Sequence, residues 1–372
     1  NFHPIYKGKY GMCNSALGEQ IIFETHSTHK LLAAFSQASM IHIKGKIDKD
    51  VMDECYMMHT STSPLYQITA SCEIAAAMMR GERGYHLINR AVKRGTNFRK
   101  EIKKLRATAR DWYFDVWQPD EIEEAECWEL KPNESWHGFK NQDANHIYLD
   151  PMKVTLLTPG IENNQLVEFG IPAEIVSMFL DLHGVIVEKT GPYSLLFLFS
   201  IGISRPKSMK LLTILNDFKA AFDANLSVRE MLPNLYQEYP QFYRKMRIQE
   251  LASRIHNLMK EYDLPTMMYH AFDCLPEISM TPHQAFQKLI KGKAKFIKLS
   301  ELEGHTSAVM VLPYPPGVPL IMPGERITSS SRKVLDYLIM LEKIGQEVPG
   351  FETDIHGVET DEDGDLSIKV LD

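Results

Sequence analysis

No two cysteines of this 372-residue sequence lie closer than 17 residues. The five, Cys13, Cys55, Cys72, Cys127 and Cys274, therefore offer neither a CxxC pair nor a zinc-knuckle spacing. An odd, sparse set also excludes a disulfide-stapled scaffold and fits a reducing, cytoplasmic compartment. Long hydrophobic runs are missing as well. The most apolar one, Leu195-Leu196-Phe197-Leu198-Phe199-Ser200-Ile201-Gly202-Ile203, falls well short of the ~20 residues of a membrane-spanning helix and reads as a buried strand. No leader-like apolar segment stands at the N-terminus. Positive charge is not in excess: Lys plus Arg is 41, Asp plus Glu is 48 and the formal charge is −7, which excludes a strongly basic nucleic-acid binder. Internal repeats and low-complexity stretches are absent too. The first residue is Asn rather than Met, so the sequence is expected to be a processed product or a piece of something longer.

What is present is ordinary globular material, with 44% apolar and 24% charged residues. At about 150 residues per domain the length suggests two or three domains. Gln20 to Thr25 and Ala38 to Ile43 have the β-branched and aromatic content of strands. Asp48 can cap a helix over Lys49 to Met58, and Pro64 opens another towards Gly81. Tyr85 to Leu105 is a long basic amphipathic helix, whose Lys and Arg residues read as its solvated outer face. Trp112-Tyr113-Phe114, Lys153 to Leu157, Val185-Ile186-Val187 and Leu195 to Phe199 read as strands. Pro172 and Gly184 bracket a helix. Further helices cover Lys207 to Phe222, Arg247 to Tyr262 and Ser329 to Ile344. Pro313 to Pro319 is a rigid non-helical loop, and Asp363-Gly364 is the turn of a C-terminal hairpin leading into Leu366-Ser367-Ile368. The pairs Met57-Met58 and Met78-Met79 read as core filler. The alternation of short strands and amphipathic helices makes the fold class α/β with an α+β portion.

The stretch that carries chemistry is Thr25-His26-Ser27-Thr28-His29-Lys30-Leu31-Leu32-Ala33-Ala34-Phe35-Ser36-Gln37-Ala38-Ser39. A lysine follows a strand and a polar break. In a partly desolvated place such a lysine can lose its proton and form a Schiff base. A hydroxyl three residues before it, on Ser27, can bind a phosphate, and small residues after it let a flat ring lie against the backbone. This is the pattern of a pyridoxal phosphate site. His26 and His29 also form an HxxH near His42, but a metal centre needs a further ligand of matching geometry, so no metal is expected. The acidic run Glu359 to Asp365 reads as a solvated turn rather than a calcium loop.

The whole string resembles the cofactor-attachment signature of the bacterial ornithine/lysine/arginine decarboxylases: S-x-H-K, two variable residues, two small ones, one variable, then S-Q and two more small residues. Further blocks resemble the family in the same order. They are Tyr56 to Pro64, Phe114 to Asp120, Trp136-His137-Gly138-Phe139, Glu188 to Tyr193, Leu312 to Gly317 and Phe351 to Gly357. Within the family, Leu31 to Met40 is most similar to the inducible lysine enzymes.

The resemblance implies part of an aminotransferase-like pyridoxal phosphate (fold type I) major domain over 1–80, a small α/β domain over 81–227 and the family's C-terminal domain over 228–372. It implies that Lys30 carries the cofactor, that Ser27 binds its phosphate, and that His29 sits close by to orient substrate or move a proton. Ser61 and Thr62 would reach towards the active site of a neighbouring subunit; many family members have threonine where Ser61 stands. Glu188 would read the distal cation of the substrate, with Tyr314 lining the same pocket. The implied reaction is decarboxylation of a basic amino acid, foremost L-lysine to cadaverine and CO2, with arginine or ornithine as alternative substrates. Implied with it are a cytoplasmic homo-oligomer, at least a dimer, with no nucleic-acid or membrane partner, in amino-acid catabolism, polyamine formation or acid stress. The family takes the carboxylate for the pyridine nitrogen from an Asp upstream of the lysine, yet residues 1–29 hold only Glu19 and Glu24 as acids. The expectation is thus a C-terminal piece of the enzyme. A truncated, non-catalytic partner of intact subunits is the alternative.

Overall fold

The computed structural model describes residues 21–31, 33–109, 111–140, 147–163, 165–314, 317–362 and 364–371. Gln20, Pro315, Pro316 and Asp363, on which some expectations fall, lie outside the described residues. Two compact units are present, each assembled from separate stretches of chain: one from 1–108, 116–154 and 198–210, the other from 109–115, 155–197 and 211–372.

In the first unit, strands Ile22–His26 and Met40–Lys44 pair antiparallel, with Glu24 opposite His42. The helix Lys49–His59 begins where expected, because the Asp48 carboxylate accepts from the N–H groups of Asp50 and Val51. Helices Tyr66–Met78 and Gly81–Thr108 follow. The long helix turns Ile88, Ala91, Val92, Phe98 and Ile102 inward at helical spacing. Met79, Ile88, Val92, Trp128, Leu130 and Leu149 form the main cluster of this unit. At Gly95 a Cβ would stand 2.4 Å from the carbonyl oxygen of Pro151, so only glycine permits this approach.

Two expectations are corrected here. The basic residues of the long helix are not all on its outer face. Arg99 is fully buried and donates to the carbonyls of Trp117 (2.8 Å) and Lys153 (2.6 Å). Burial pulls its guanidinium down to about 10, against the opposing pull of Asp150, so it remains cationic at neutral pH. Met57 and Met58 are surface residues, since the helix Lys49–His59 buries none of its side chains.

The second unit has an aromatic core. Phe114 contacts Trp112 and Phe218, and Phe218 contacts Phe179 and Phe222, with ring centroids 5.3–5.9 Å apart. Trp112 to Phe114 supply this core as irregular chain, and the strand begins only at Asp115–Val116. A four-stranded sheet runs in the order Asp115–Val116, Lys153–Leu157, Ser194–Leu198, Lys189–Gly191 and belongs mainly to this unit. Val185 to Val187 are not a strand; Ile186 is exposed, and pairing starts at Lys189 against Leu196. The helix Ala173–Leu182 starts after Pro172, and the chain leaves it through Gly184 at φ 71°. A six-stranded sheet centres on Leu366–Leu371, whose alternation buries Leu366, Ile368 and Val370. Its hairpin partner is Val358–Thr360, as the turn signal predicts. The proline-rich segment opens as a strand, with Leu312–Tyr314 paired to Asp354–His356.

Candidate active site

Lys30 stands in a four-residue helix, Thr28–Leu31, inside the connection between the two strands of the first unit. Its side chain is exposed, and among the described residues no carboxylate pairs with it. Its backbone N–H donates to the carbonyl of Ser27 at 3.0 Å, closing the turn that puts both side chains on one short segment.

His29 is tied down from two sides. Its backbone N–H donates to the carbonyl oxygen of Ala38 (3.2 Å), and its ring Nδ1 meets the same oxygen at 2.9 Å. A carbonyl only accepts, so Nδ1 carries the proton and Nε2 is the atom left for other work. Ala38 is fully buried and packs with Ala34 against Ala75, Ile68 and Cys72. The backbone N–H of Phe35 donates to the Ser71 hydroxyl (3.0 Å), which donates in turn to the carbonyl of Ile68 (2.6 Å). The small residues of the signature thus let the loop sit against the helix Tyr66–Met78. Ala33 and Gln37 are held at φ 64° and 73°, a left-handed conformation uncommon for non-glycine residues, which marks this loop as strongly constrained.

The sequence places the Thr28 hydroxyl beside Ser27 but assigns it no role. Its residue is fully buried, and its hydroxyl has no hydrogen-bond partner among the described residues. Ser27, next to it, is exposed. The acid just upstream in sequence, Glu24, is engaged by His26 at 2.5 Å, which holds its carboxyl below the ordinary value, and the His26 ring lies 4.6 Å from that of His42. Ser61 and Thr62 are exposed in the connection between two helices of the same unit, where the Ser61 hydroxyl accepts from the N–H of Ser63 (3.1 Å).

Glu188 and Tyr314 lie in the second unit. Glu188 is exposed where the hairpin strand Lys189–Gly191 begins, and its N–H donates to the carbonyl of Leu196 (2.9 Å). The hairpin is pinned by a contact that local sequence does not announce. Tyr193 and His256, 63 residues apart, meet at 2.6 Å between the phenol oxygen and Nδ1, while Nε2 lies 2.9 Å from the carbonyl of Val167. Nε2 therefore donates to that carbonyl, and Nδ1 of the neutral ring accepts from the phenol. A Cβ at Gly170 would lie 2.2 Å from this imidazole, so the ring closes tightly on the backbone. Tyr314 is half-exposed opposite Asp354 and lines a cavity of about 270 Å³, shared with Thr190, Gly191 and Pro192 of the hairpin. Glu188 is not among the described residues of that wall.

The model of the Orn/Lys/Arg decarboxylase major domain matches residues 1–207, and that of the Orn/Lys/Arg decarboxylase C-terminal domain matches residues 265–372. The chain belongs to the Orn/Lys/Arg decarboxylase family. It is 58% identical over all 372 residues to the constitutive lysine decarboxylase of Escherichia coli, of which it covers 52%. It is 59% identical over 362 residues to the lysine decarboxylase of Hafnia alvei, which covers 97% of the chain and 49% of that protein. The crystal structure of the Francisella novicida lysine decarboxylase matches the entire fold with a TM-score of 0.94 at 57% identity, covering 52% of that chain. The chain therefore spans about half the length of the curated relatives it matches. Among the described residues no helix is long and apolar enough to cross a membrane.

Proposed function

We propose that this chain carries the cofactor lysine of a pyridoxal phosphate-dependent decarboxylase that converts L-lysine to cadaverine and CO2. The observation that supports this reading is the anchored Ser27–Lys30 turn, found in a chain that shares 58% of its residues with a lysine decarboxylase.

The residues present fit the aldehyde and phosphate ends of such a cofactor. Lys30 offers an amine that no described carboxylate engages, Ser27 an exposed hydroxyl, and Thr28 a buried hydroxyl with no partner among the described residues. When bound, pyridoxal phosphate supplies the electron sink that accepts the pair left by departing CO2. Lys30 Nζ would hold it at the aldehyde carbon, and the Ser27 hydroxyl would donate to its phosphate. His29, with Nδ1 fixed on Ala38, would hold at Nε2 the proton that returns to the substrate's α-carbon. Glu188 would pair its carboxylate with the distal ammonium of lysine, and Tyr314 would line that end of the site.

Self-association through the corner that bears Ser61 and Thr62 belongs to the same reading. Met58, Leu65 and Tyr66, all beside this corner, are 71%, 59% and 77% exposed. Apolar surface gathered in one place marks a protein contact. The resulting homo-oligomer would work in the cytoplasm, as the cysteine usage suggests.

Side-by-side turnover of lysine, arginine and ornithine by the protein expressed from its complete reading frame is the test. Preference for lysine is expected, and preference for either alternative substrate overturns the assignment. In Glu188→Gln, unchanged preference would remove that residue from the pocket.

A further inference from the structure

Charge is laid out unevenly along this chain. From Ile278 to Ser300 there is no Asp or Glu but there are five lysines, Lys288, Lys291, Lys293, Lys295 and Lys298, in a sequence whose formal charge is −7. The stretch folds as the helix Pro282–Ile290, a turn at Gly292 with φ 68°, and the strand Ala294–Lys298. That strand stands at one end of the six-stranded sheet and pairs with Leu366–Leu371.

The register decides which side chains share a face. Ala294 lies opposite Leu371, and both pack with Ala285 of the helix, so the helix covers this face of the sheet. Phe296 lies opposite Lys369 on the same face, two residues past Ala294, and Lys369 Nζ stands 4.7 Å from the centre of its ring. The helix turns Ala285 and Leu289 inward and leaves Phe286 and Ile290, one position round, to solvent. Phe286, Ile290 and Phe296 are 54%, 59% and 44% exposed. Three large apolar side chains thus stand on one side of the sheet, with Lys291 and Lys293 exposed in the turn that joins their two elements. Of the acids nearby, Asp365 is held by Lys298, and Glu359 is on the far side of the strand Leu366–Leu371 from this edge.

We infer that this helix and edge strand form a docking surface for an anionic phospholipid bilayer, with Phe286, Ile290 and Phe296 entering the headgroup boundary and the lysines of the turn pairing with lipid phosphates. Lysines by themselves would be explained as protection of a sheet edge against strand pairing. That task does not call for exposed phenylalanines, whereas apolar anchors interleaved with lysines match both layers of a charged bilayer surface. A second copy of the chain would bring lysines against lysines. Among the described residues no helix is long and apolar enough to cross a bilayer, and attachment to its surface needs none. The inference does not depend on the decarboxylase reading, because no residue of the Lys30 turn or of the Tyr314 cavity takes part.

The test is flotation of the complete protein with vesicles, one set of phosphatidylcholine alone and one of equal parts phosphatidylcholine and phosphatidylglycerol. Attachment to the anionic set alone is expected, and it should fall as added salt screens the lysines. Each lysine near such a surface strengthens attachment about fivefold. Lys291→Glu combined with Lys293→Glu should therefore weaken it at least tenfold at an unchanged melting temperature, and Phe286→Ser combined with Phe296→Ser several-fold. No attachment to the anionic vesicles, equal attachment to both sets, or undiminished attachment of either variant that melts like the parent would overturn the inference. So would tight binding of polyglutamate through the same residues without vesicle attachment, which would name an acidic protein segment as the occupant. Should the phenylalanine variant fail to fold, the lysine variant, altered only at exposed turn positions, decides alone.

Discussion

His29 and Ala38 are joined by two contacts to one carbonyl oxygen, 3.2 Å from the backbone N–H of His29 and 2.9 Å from its ring Nδ1. The pair closes the loop that carries Lys30 and sets the tautomer of the imidazole in the same stroke. A ring so held keeps Nε2 in a fixed direction, which is what a proton carrier needs. In His29→Asn the side-chain amide can still donate to Ala38, but Nε2 is lost. The expected outcome is a melting temperature close to that of the parent, with CO2 release slowed on the order of a hundredfold or more. Calorimetry together with a CO2-release assay on the complete protein checks both halves.

Arg99 concerns stability rather than chemistry. It satisfies the carbonyls of Trp117 and Lys153 from a fully buried position. Lysine at this place carries the charge but not the planar fork that reaches both oxygens. Arg99→Lys should therefore destabilise the protein by about 3 kcal/mol, and Arg99→Ala by at least as much. Denaturant unfolding measures the difference.

Tyr193 and His256 set the hairpin that bears Glu188. Removing the phenol oxygen in Tyr193→Phe leaves Nδ1 of a buried ring without its donor, which costs about 1–3 kcal/mol. Activity on lysine should fall along with stability, because the hairpin loses its pin. Thermal melting and the KM for lysine, measured on the same variant, follow the two effects separately.

Burial pushes Tyr337 up to about 12, above the roughly 10 of an unfolded tyrosine. A group whose folded value is raised contributes stability that is fully present below the unfolded value and is lost as the pH climbs through the folded one. Stability should thus decline from about pH 10 towards about pH 12, by on the order of 2 kcal/mol from this residue. Unfolding free energies across that window should fall less steeply in Tyr337→Phe.

Much of this was legible in the sequence wherever the controlling interaction is local. Asp48 caps its helix through N–H groups two and three residues on, and Leu366 to Val370 alternate because one face of that strand is buried. The Ser27–Lys30 turn stood out in the sequence because the cofactor chemistry proposed for it would need fixed residue types at fixed spacing. Long-range partners hid the rest. Trp112 to Phe114 look like a strand, but the Phe114 ring is claimed by Phe218 and the Tyr113 ring by Phe222, more than 100 residues later. Val185 to Val187 have strand composition, yet register is set by the tight turn at Pro192-Tyr193, which pairs Gly191 with Ser194. Arg99 reads as one more solvated cation until the carbonyls of Trp117 and Lys153 converge on it. Nothing near His256 in sequence indicates that it would meet Tyr193, and the idle hydroxyl of Thr28 is visible only once burial is known.

The central claim is that Lys30 holds the cofactor. Borohydride reduction of the complete protein in the presence of pyridoxal phosphate, followed by mass mapping of the peptides, tests it most directly. The account predicts a single stable pyridoxyl label on Lys30 that disappears in Lys30→Ala. A label on another lysine, or none while the protein still releases CO2 from lysine, would contradict it.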